Sequence, residues 1–311
     1  MSSDQFDIVV IGGGHAGAEA AWAAARLGAE TALITLRADR IARMPCNPAI
    51  GGVGKGQIVR EIDAMGGLMG LAADATGIQF RMLNRSKGPA VWGPRCQCDR
   101  HAYAAFVQRA LAERPGVTVI EGEVTEILTA GTPRRVTGVS IVRAGRDGHA
   151  ERQSLRCGAI VLAAGTFLRG VMHCGPKTWS GGCYGEPSAD SLSGSLRRLG
   201  VRLGRLKTGT CRRVAADTID TDRCRRQDGD ECPAAFSFLN APPAIEQTPC
   251  WITATTEDIH QLIRDNLHRA PLFNGQIAAT GPRYCPSVEL KIDRFPDKAS
   301  HQVFIEPEGL A

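Results

Sequence analysis

The stretch that most constrains this chain lies near its start. FDIVVI, residues 6–11, runs straight into Gly12-Gly13-Gly14-His15-Ala16-Gly17 and then into the Ala-rich AEAAWAAARLG. Five apolar residues in six, rich in β-branched side chains, predict a strand, and the spacing that follows predicts a helix. ETALITL, residues 30–36, predicts a second strand. Strand, G-x-G-x-x-G, helix and strand in roughly thirty residues are the opening of a doubly wound α/β sheet that binds a dinucleotide. Gly12 permits the tight turn, Gly14 lets the backbone approach a pyrophosphate, and Gly17 lets the helix pack closely on the strand. The helix N-terminus adds free N–H groups and the positive end of its dipole. The acid expected at the end of the second strand, for ribose hydroxyls, is missing. Thr35 stands there, followed by Leu36-Arg37.

A second glycine-rich stretch, CNPAIGGVGKG at residues 46–56, raises the question of an NTPase loop. That loop needs Gly, four residues, Gly, Lys, then Ser or Thr. Around Gly54-Lys55, Ala49 stands where the first Gly belongs, and Gly56 offers no hydroxyl to magnesium. The NTPase reading fails on both counts. Later, AIVLAAG at 159–165 predicts a late buried strand ending in small residues. In two-domain flavoproteins such a strand brings the chain back to the nucleotide, which favours FAD over NAD at the first site.

Between these motifs, residues 57–65 and 99–114 predict helices, and strands dominate 117–164. From 165 to about 250 the periodicity weakens, and 222–233, DRCRRQDGDECP, reads as a charged surface loop. A helix is expected over 256–268, capped by Thr255 or Thr256. HQVFI, near residue 303, is strand-like. The chain has 311 residues and a net charge of +5, and 31 of its 37 basic residues are Arg. Arg suits bidentate phosphate contacts, so Arg95, Arg100, Arg212 and Arg213 are candidate RNA or phosphate ligands, with local ion pairs as the alternative. No secretory signal and no apolar run long enough to span a bilayer is seen, so a cytoplasmic location without membrane association is expected. The eleven cysteines form no C-x-x-C pair. Cys96 and Cys98 are the closest two, no His cluster accompanies them, and most cysteines are expected as small core residues with no metal.

FDIVVIGGGHAGAEAA, MPCNPAIGGVGKG, GIQFRMLNRSKGPAV, RLKTGT and GPRYCPS together resemble the MnmG (GidA) family. These proteins are the flavin subunits of the bacterial tRNA wobble-uridine modifying complex. The resemblance runs from about residue 6 to the end. It implies an α/β fold: a Rossmann-like FAD-binding domain with an inserted second α/β, NADH-side domain. The first would occupy 1–200 and the second 201–311, the chain ending before the FAD domain is completed. It further implies FAD and NADH as cofactors, tRNA and an MnmE-type GTPase as partners, and a homodimer. The reaction implied adds a carboxymethylaminomethyl or aminomethyl group to C5 of the wobble uridine, with a folate one-carbon donor and nitrogen from glycine or ammonium.

Residue by residue, Gly12, Gly13, Gly14, His15, Ala16 and Gly17 match the FAD pyrophosphate site, and Val124 and Ser180 match further FAD contacts. Gly281, Pro282, Arg283, Tyr284, Cys285, Pro286, Ser287, Val288, Glu289, Leu290, Lys291, Ile292, Asp293, Arg294 and Phe295 match the nicotinamide segment. Cys46 and Cys285 match two catalytic cysteines, and Lys207 lies in the RLKTGT motif. A thiolate can add to C6 of a pyrimidine and make C5 nucleophilic, and Cys46, ahead of a helix start, and Cys285, beside Arg283, sit where a thiol pKa can fall. The chain departs from the family at Cys211-Arg212, where Pro-Pro is usual, and at Cys96, Cys98 and Cys183. Family members are about twice as long. A folate- and FAD-dependent tRNA uridine methyltransferase is compatible with CNPAIGG and RYCPS, and a non-catalytic nucleotide-binding fragment is the alternative of another class.

Overall fold

The computed structural model describes residues 4–145, 149–281 and 286–310. The opening unit forms as expected: β1 (Gln5–Ile11), α1 (His15–Arg26) and β2 (Thr31–Thr35). The chain then leaves the sheet for a smaller layer built from β3 (Ala49–Gly51), α2 (Lys55–Ala64), α3 (Met69–Thr76), β4 (Gly77–Leu83) and β5 (Gly93–Cys98). It returns through α4 (Arg100–Ala112), whose first turn is capped by Asp99. That carboxylate accepts the His101 and Ala102 N–H groups at 3.0 and 2.9 Å. Next come β6 (Val117–Glu121), β7 (Glu123–Ala130), β8 (Arg135–Ala144) and the long β9 (Ala150–Leu162).

These strands make a six-stranded sheet in the order β6-β2-β1-β9-β8-β7. β6, β2, β1 and the second half of β9 are parallel, while β7, β8 and the first half of β9 form an antiparallel meander. The parallel strands are apolar on both faces, as a sheet covered on both sides requires. Val10 and Leu33 face a core completed by Ala18, Ala21, Tyr103, Val107 and Leu111 of α1 and α4. Val9, Ile11, Ala32 and Ile34 face a second core with Ile141, Leu155, Leu192 and Leu196.

β9 corrects one expectation. β8 pairs with it only up to Arg156, and β1 takes the rest, so among the described residues one edge of 157–162 carries no strand. Val161 and Leu162 are therefore about 40% exposed rather than buried.

A hairpin of β10 (Val171–Cys174) and β11 (Lys177–Ser180) follows, then α5 (Leu192–Arg198). Residues 200–250 are mostly irregular, as their weak periodicity suggests. Within the segment read as a surface loop, however, β12 (Arg225–Gln227) pairs with β13 (Cys250–Ala254). After α6 (Glu257–Asn266) and α7 (Val288–Arg294), β14 (Gln302–Ile305) completes this three-stranded sheet. Thr256 is the cap of α6, accepting the Ile259 N–H at 3.4 Å.

This late sheet docks on the β3-β5-β4 layer through buried amides. Gln79 Nε2 donates to the main-chain oxygens of Gln227 and Thr248 at 2.9 and 3.0 Å, and Gln97 Nε2 donates to that of Pro307 at 2.7 Å.

Candidate functional site

At the carboxyl ends of β1 and β9 the glycines have separable reasons to be there. Gly12 has φ +108°, where only glycine is unstrained, and a Cβ would collide with the carbonyl of Ala163. A Cβ on Gly17 would overlap Gly12 O, so close helix–strand packing requires this glycine. A Cβ on Gly14, by contrast, would meet nothing within 4 Å. The turn role of Gly12 and the packing role of Gly17 thus have physical counterparts, while Gly14 leaves its side of the turn open. Gly14 is exposed and precedes α1, and among the described residues no side chain caps that helix. Its first N–H groups therefore face an open cradle suited to an anion. Ala163, delivered by β9, hydrogen-bonds through its N–H to Ile11 O at 2.8 Å, so the late strand does end against the glycine turn.

His15 opens α1 with its ring 5.5 Å from that of Tyr103, and burial lowers its pKa below the usual 6.5. It packs inward, lining a small cavity with Leu68, Met69 and Tyr103, and brings no positive charge. Thr35 holds the end of β2, and its hydroxyl donates to Arg37 O at 3.3 Å. The nearby acids are committed elsewhere: Glu121 accepts the Ala38 N–H at 2.6 Å, and Asp39 pairs with Arg37 at 2.6 Å. Val124 is buried in the core, leaving its main chain as the only part able to meet a ligand. Ser180 is exposed on the hairpin, with its hydroxyl 2.6 Å from that of Ser188. The hairpin region is tied back by Glu186, which pairs with Arg43, and Ala42 N–H donates to Gly13 O at 2.9 Å. Sequence reading singled out neither Arg43 nor Glu186, since only the fold brings them together.

In CNPAIGGVGKG the glycines divide in two. Cβ atoms on Gly51 and Gly56 would collide with Pro94 of β5, so packing onto that strand demands them. Gly52 and Gly54 have φ +97° and +73° and face open space. Cys46 is half-buried and precedes β3. The helix start therefore lies beyond that strand, at Lys55.

What surrounds Cys46 is the RLKTGT run. Cys46 Sγ lies 4.0 Å from Gly209 O, and Arg213 Nη2 donates to Pro45 O and Cys46 O at 3.1 and 2.6 Å. The same run pairs at its other end with Thr280, where Lys207 N–H donates to Thr280 O at 2.9 Å. Lys207 also packs against Gly281. Three stretches remote in sequence, 44–48, 206–213 and 280–281, thus form one surface.

Pro282, Arg283, Tyr284 and Cys285 lie outside the described residues. Pro286 and Ser287 lead into α7, which holds Val288 to Arg294 and buries Ile292 against the chain, with Phe295 exposed after it.

The candidate phosphate arginines are mostly engaged internally. Arg95 pairs with Glu306, Arg100 with Glu308 at 2.8 Å, and Arg213 with Glu308 at 3.0 Å. Arg212 is exposed. Cys96, Cys98, Cys157 and Cys250 are buried, but the other six described cysteines reach the surface, more than expected. Among the described residues no group of three or more His, Cys, Asp or Glu could hold a metal, and no helix is long and apolar enough to cross a membrane.

The profile of the family described as glucose inhibited division protein A matches residues 7–311. The chain is 50% identical over 313 residues to the tRNA uridine 5-carboxymethylaminomethyl modification enzyme MnmG of Salinibacter ruber, covering 99% of this chain and 46% of that protein. It is 51% identical over 306 residues to the protein of the same name from Granulibacter bethesdensis, covering 98% and 47%. Among solved structures, Aquifex aeolicus GidA superposes with a TM-score of 0.89 at 47% identity, over 98% of this chain and 50% of that one. The chain spans about half the length of these relatives.

Proposed function

Because the chain belongs to the glucose inhibited division protein A family, we propose that it is the nucleotide-binding half of a cytoplasmic tRNA-modifying flavoenzyme. The whole enzyme adds a carboxymethylaminomethyl or aminomethyl group to C5 of the wobble uridine, using FAD, NADH and a folate one-carbon donor. It works as a homodimer with an MnmE-type GTPase. The observation that carries this reading is the convergence of the Cys46 loop, the Lys207 run and Thr280-Gly281 on one surface.

In this reading residues 1–200 belong to the FAD-binding domain and 201–311 to the inserted NADH-side domain. The cradle from Gly12 to Gly17 takes the FAD pyrophosphate, since the uncapped N–H groups and the empty space over Gly14 fit an anion that approaches the backbone closely. The Val124 main chain and Ser180 add further contacts, and Gly281 to Phe295 serve the nicotinamide cofactor. When bound, the flavin supplies the redox chemistry, with NADH as its reductant. Cys46 acts on the base: its thiolate adds to C6, C5 becomes nucleophilic, and the thiolate leaves when the proton on C5 is removed. Cys285 is the second thiol of the site. A strand from the remainder of the longer protein covers the open edge of β9, where Val161 and Leu162 are exposed.

Half-length favours one second reading, a fragment that holds the nucleotide without turnover. FAD titration followed by flavin fluorescence, together with wobble-base analysis of tRNA treated with the full-length enzyme, tests both. Wild-type chain binds FAD. Gly14→Val, which fills open space, weakens binding by roughly tenfold or more, about 1.4 kcal/mol, without lowering the melting temperature. In the full-length protein Cys46→Ser removes the modified base while FAD stays bound. Normal base yield from that variant overturns the catalytic reading, and a chain indifferent to FAD overturns the cofactor assignment.

A further inference from the structure

Cys46 and Cys211 stand on different loops that meet side by side, and the Cys46 thiol raises that of Cys211. One guanidinium fixes the two loops together. Arg213 donates to Cys46 O at 2.6 Å and Pro45 O at 3.1 Å with one nitrogen, and to Cys211 O at 3.0 Å with the other. Its Nε is anchored on Glu308 at 3.0 Å. The second nitrogen also lies 3.9 Å from Cys211 Sγ, where a fixed positive charge favours thiolate. Cys211 is exposed and Cys46 half-buried, so a small oxidant reaches both.

Cys96 and Cys98 make the contrast. Their sulfurs are 3.6 Å apart, but both are buried, and burial pushes the Cys96 thiol well up, which leaves that pair inert.

We propose that Cys46 and Cys211 form an oxidation site, closing a reversible disulfide when the protein meets a peroxide. In the first step one thiolate attacks a peroxide oxygen, the O–O bond breaks, and a sulfenic acid and water form. In the second, the other thiol attacks that sulfur, the S–O bond breaks, and a second water leaves. Two thiols lose two electrons and two protons, and one hydrogen peroxide becomes two waters. The disulfide masks Cys46 against any chemistry that needs its thiol, and a dithiol reductant restores it by exchange. Burial and the neighbouring Cys46 thiol both raise Cys211, so Cys211 rests as a thiol until it is ionised. The site does not depend on what Cys46 does to a base.

The test treats the chain with hydrogen peroxide, blocks remaining thiols with iodoacetamide, digests with trypsin without reductant and identifies peptides by mass. The expected product joins peptide 44–55, MPCNPAIGGVGK, to peptide 208–212, TGTCR. Dithiothreitol dissolves it. Cys174→Ser, which changes another exposed cysteine, leaves it intact, and Cys211→Ser removes it while Cys46 oxidises further to the sulfinic acid. Should Cys211→Ser fail to fold, Cys46→Ser must also abolish the joined product. Peroxide-treated wild type in which Cys46 is recovered alkylated, as a sulfinic acid, or joined to any other cysteine overturns the proposal.

Discussion

Arg213 Nη2 donates to the main-chain oxygen of Cys46 at 2.6 Å across 167 positions of sequence. With Nε on Glu308, which also receives Arg100 at 2.8 Å, this side chain ties the Cys46 loop to the segment after β14. The ion pairs are partly exposed and contribute little on their own. Their effect is positional: three main-chain oxygens around two thiols are held by one planar, rigid donor set.

Arg213→Ala frees the Cys46 loop. Stability falls by no more than about 1 kcal/mol, because the pair it breaks is screened by solvent. Alkylation of Cys46 by iodoacetamide, followed on peptide 44–55, becomes several-fold faster. Arg213→Lys restores neither the fork nor the wild-type rate, since an ammonium cannot span the oxygens of Cys46 and Cys211 together. Unchanged alkylation in both variants would show that Arg213 does not govern access to Cys46.

Phe236 places a side chain from the irregular 200–250 stretch in the core shared by Val59, Phe80 and Cys96. Its loop is held by carboxylates of α2 and α3. Asp74 accepts the Phe236 and Ser237 N–H groups at 2.6 and 2.9 Å, and Asp63 accepts that of Phe238 at 2.7 Å. Phe236→Ala removes a fully buried ring and costs about 3–5 kcal/mol in urea unfolding. Asp74→Ala leaves two N–H groups without their anion and costs about 2–3 kcal/mol. The two losses are not additive, because both detach the same loop. A cost below about 1 kcal/mol for Phe236→Ala means that residues 235–240 contribute nothing to holding the late sheet on the early one.

These anchors also explain what the sequence made legible. β1, α1, β2, α4, β7–β9 and α6 announce themselves because each buries one face or both in a local period. β4 and β5 do not. Gln79 and Gln97 are fully buried in them, a pattern that reads locally as polar and exposed. They can be buried because carbonyls of Gln227, Thr248 and Pro307, far along the chain, accept their amides. β5 further contains Pro94, against which Gly51 and Gly56 pack. The turn at Gly12 and the close packing at Gly17 were legible, since turn, strand and helix are contiguous. The surface around Cys46 was not, because Gly209, Cys211 and Arg213 reach it only through tertiary structure.

His301 gives a pH dependence with a definite sign. Its ring is buried, stacked 5.3 Å from His260, and its Nε2 has no hydrogen-bond partner among the described residues. Its main-chain N–H donates to Thr255 Oγ1 at 2.8 Å, and that hydroxyl lies 2.7 Å from His260 Nε2. Burial first, then His260, Lys291 and Lys298, lower its pKa below the usual 6.5. The unfolded chain therefore binds the extra proton first as pH falls. Stability contributed by the neutral ring is complete above about pH 6.5 and is lost as pH drops from there toward the lowered folded value. His301→Phe keeps an aromatic ring against His260, keeps the main-chain bond to Thr255 and removes the titration. The difference in urea midpoint between variant and wild type should grow in favour of the variant from about pH 7.5 to about pH 5.5. Taking the difference cancels groups such as Glu19, whose carboxyl is raised by burial and acts with the opposite sign at lower pH. A difference that stays flat over that range means that the folded protein accommodates the charged His301 ring as readily as water does.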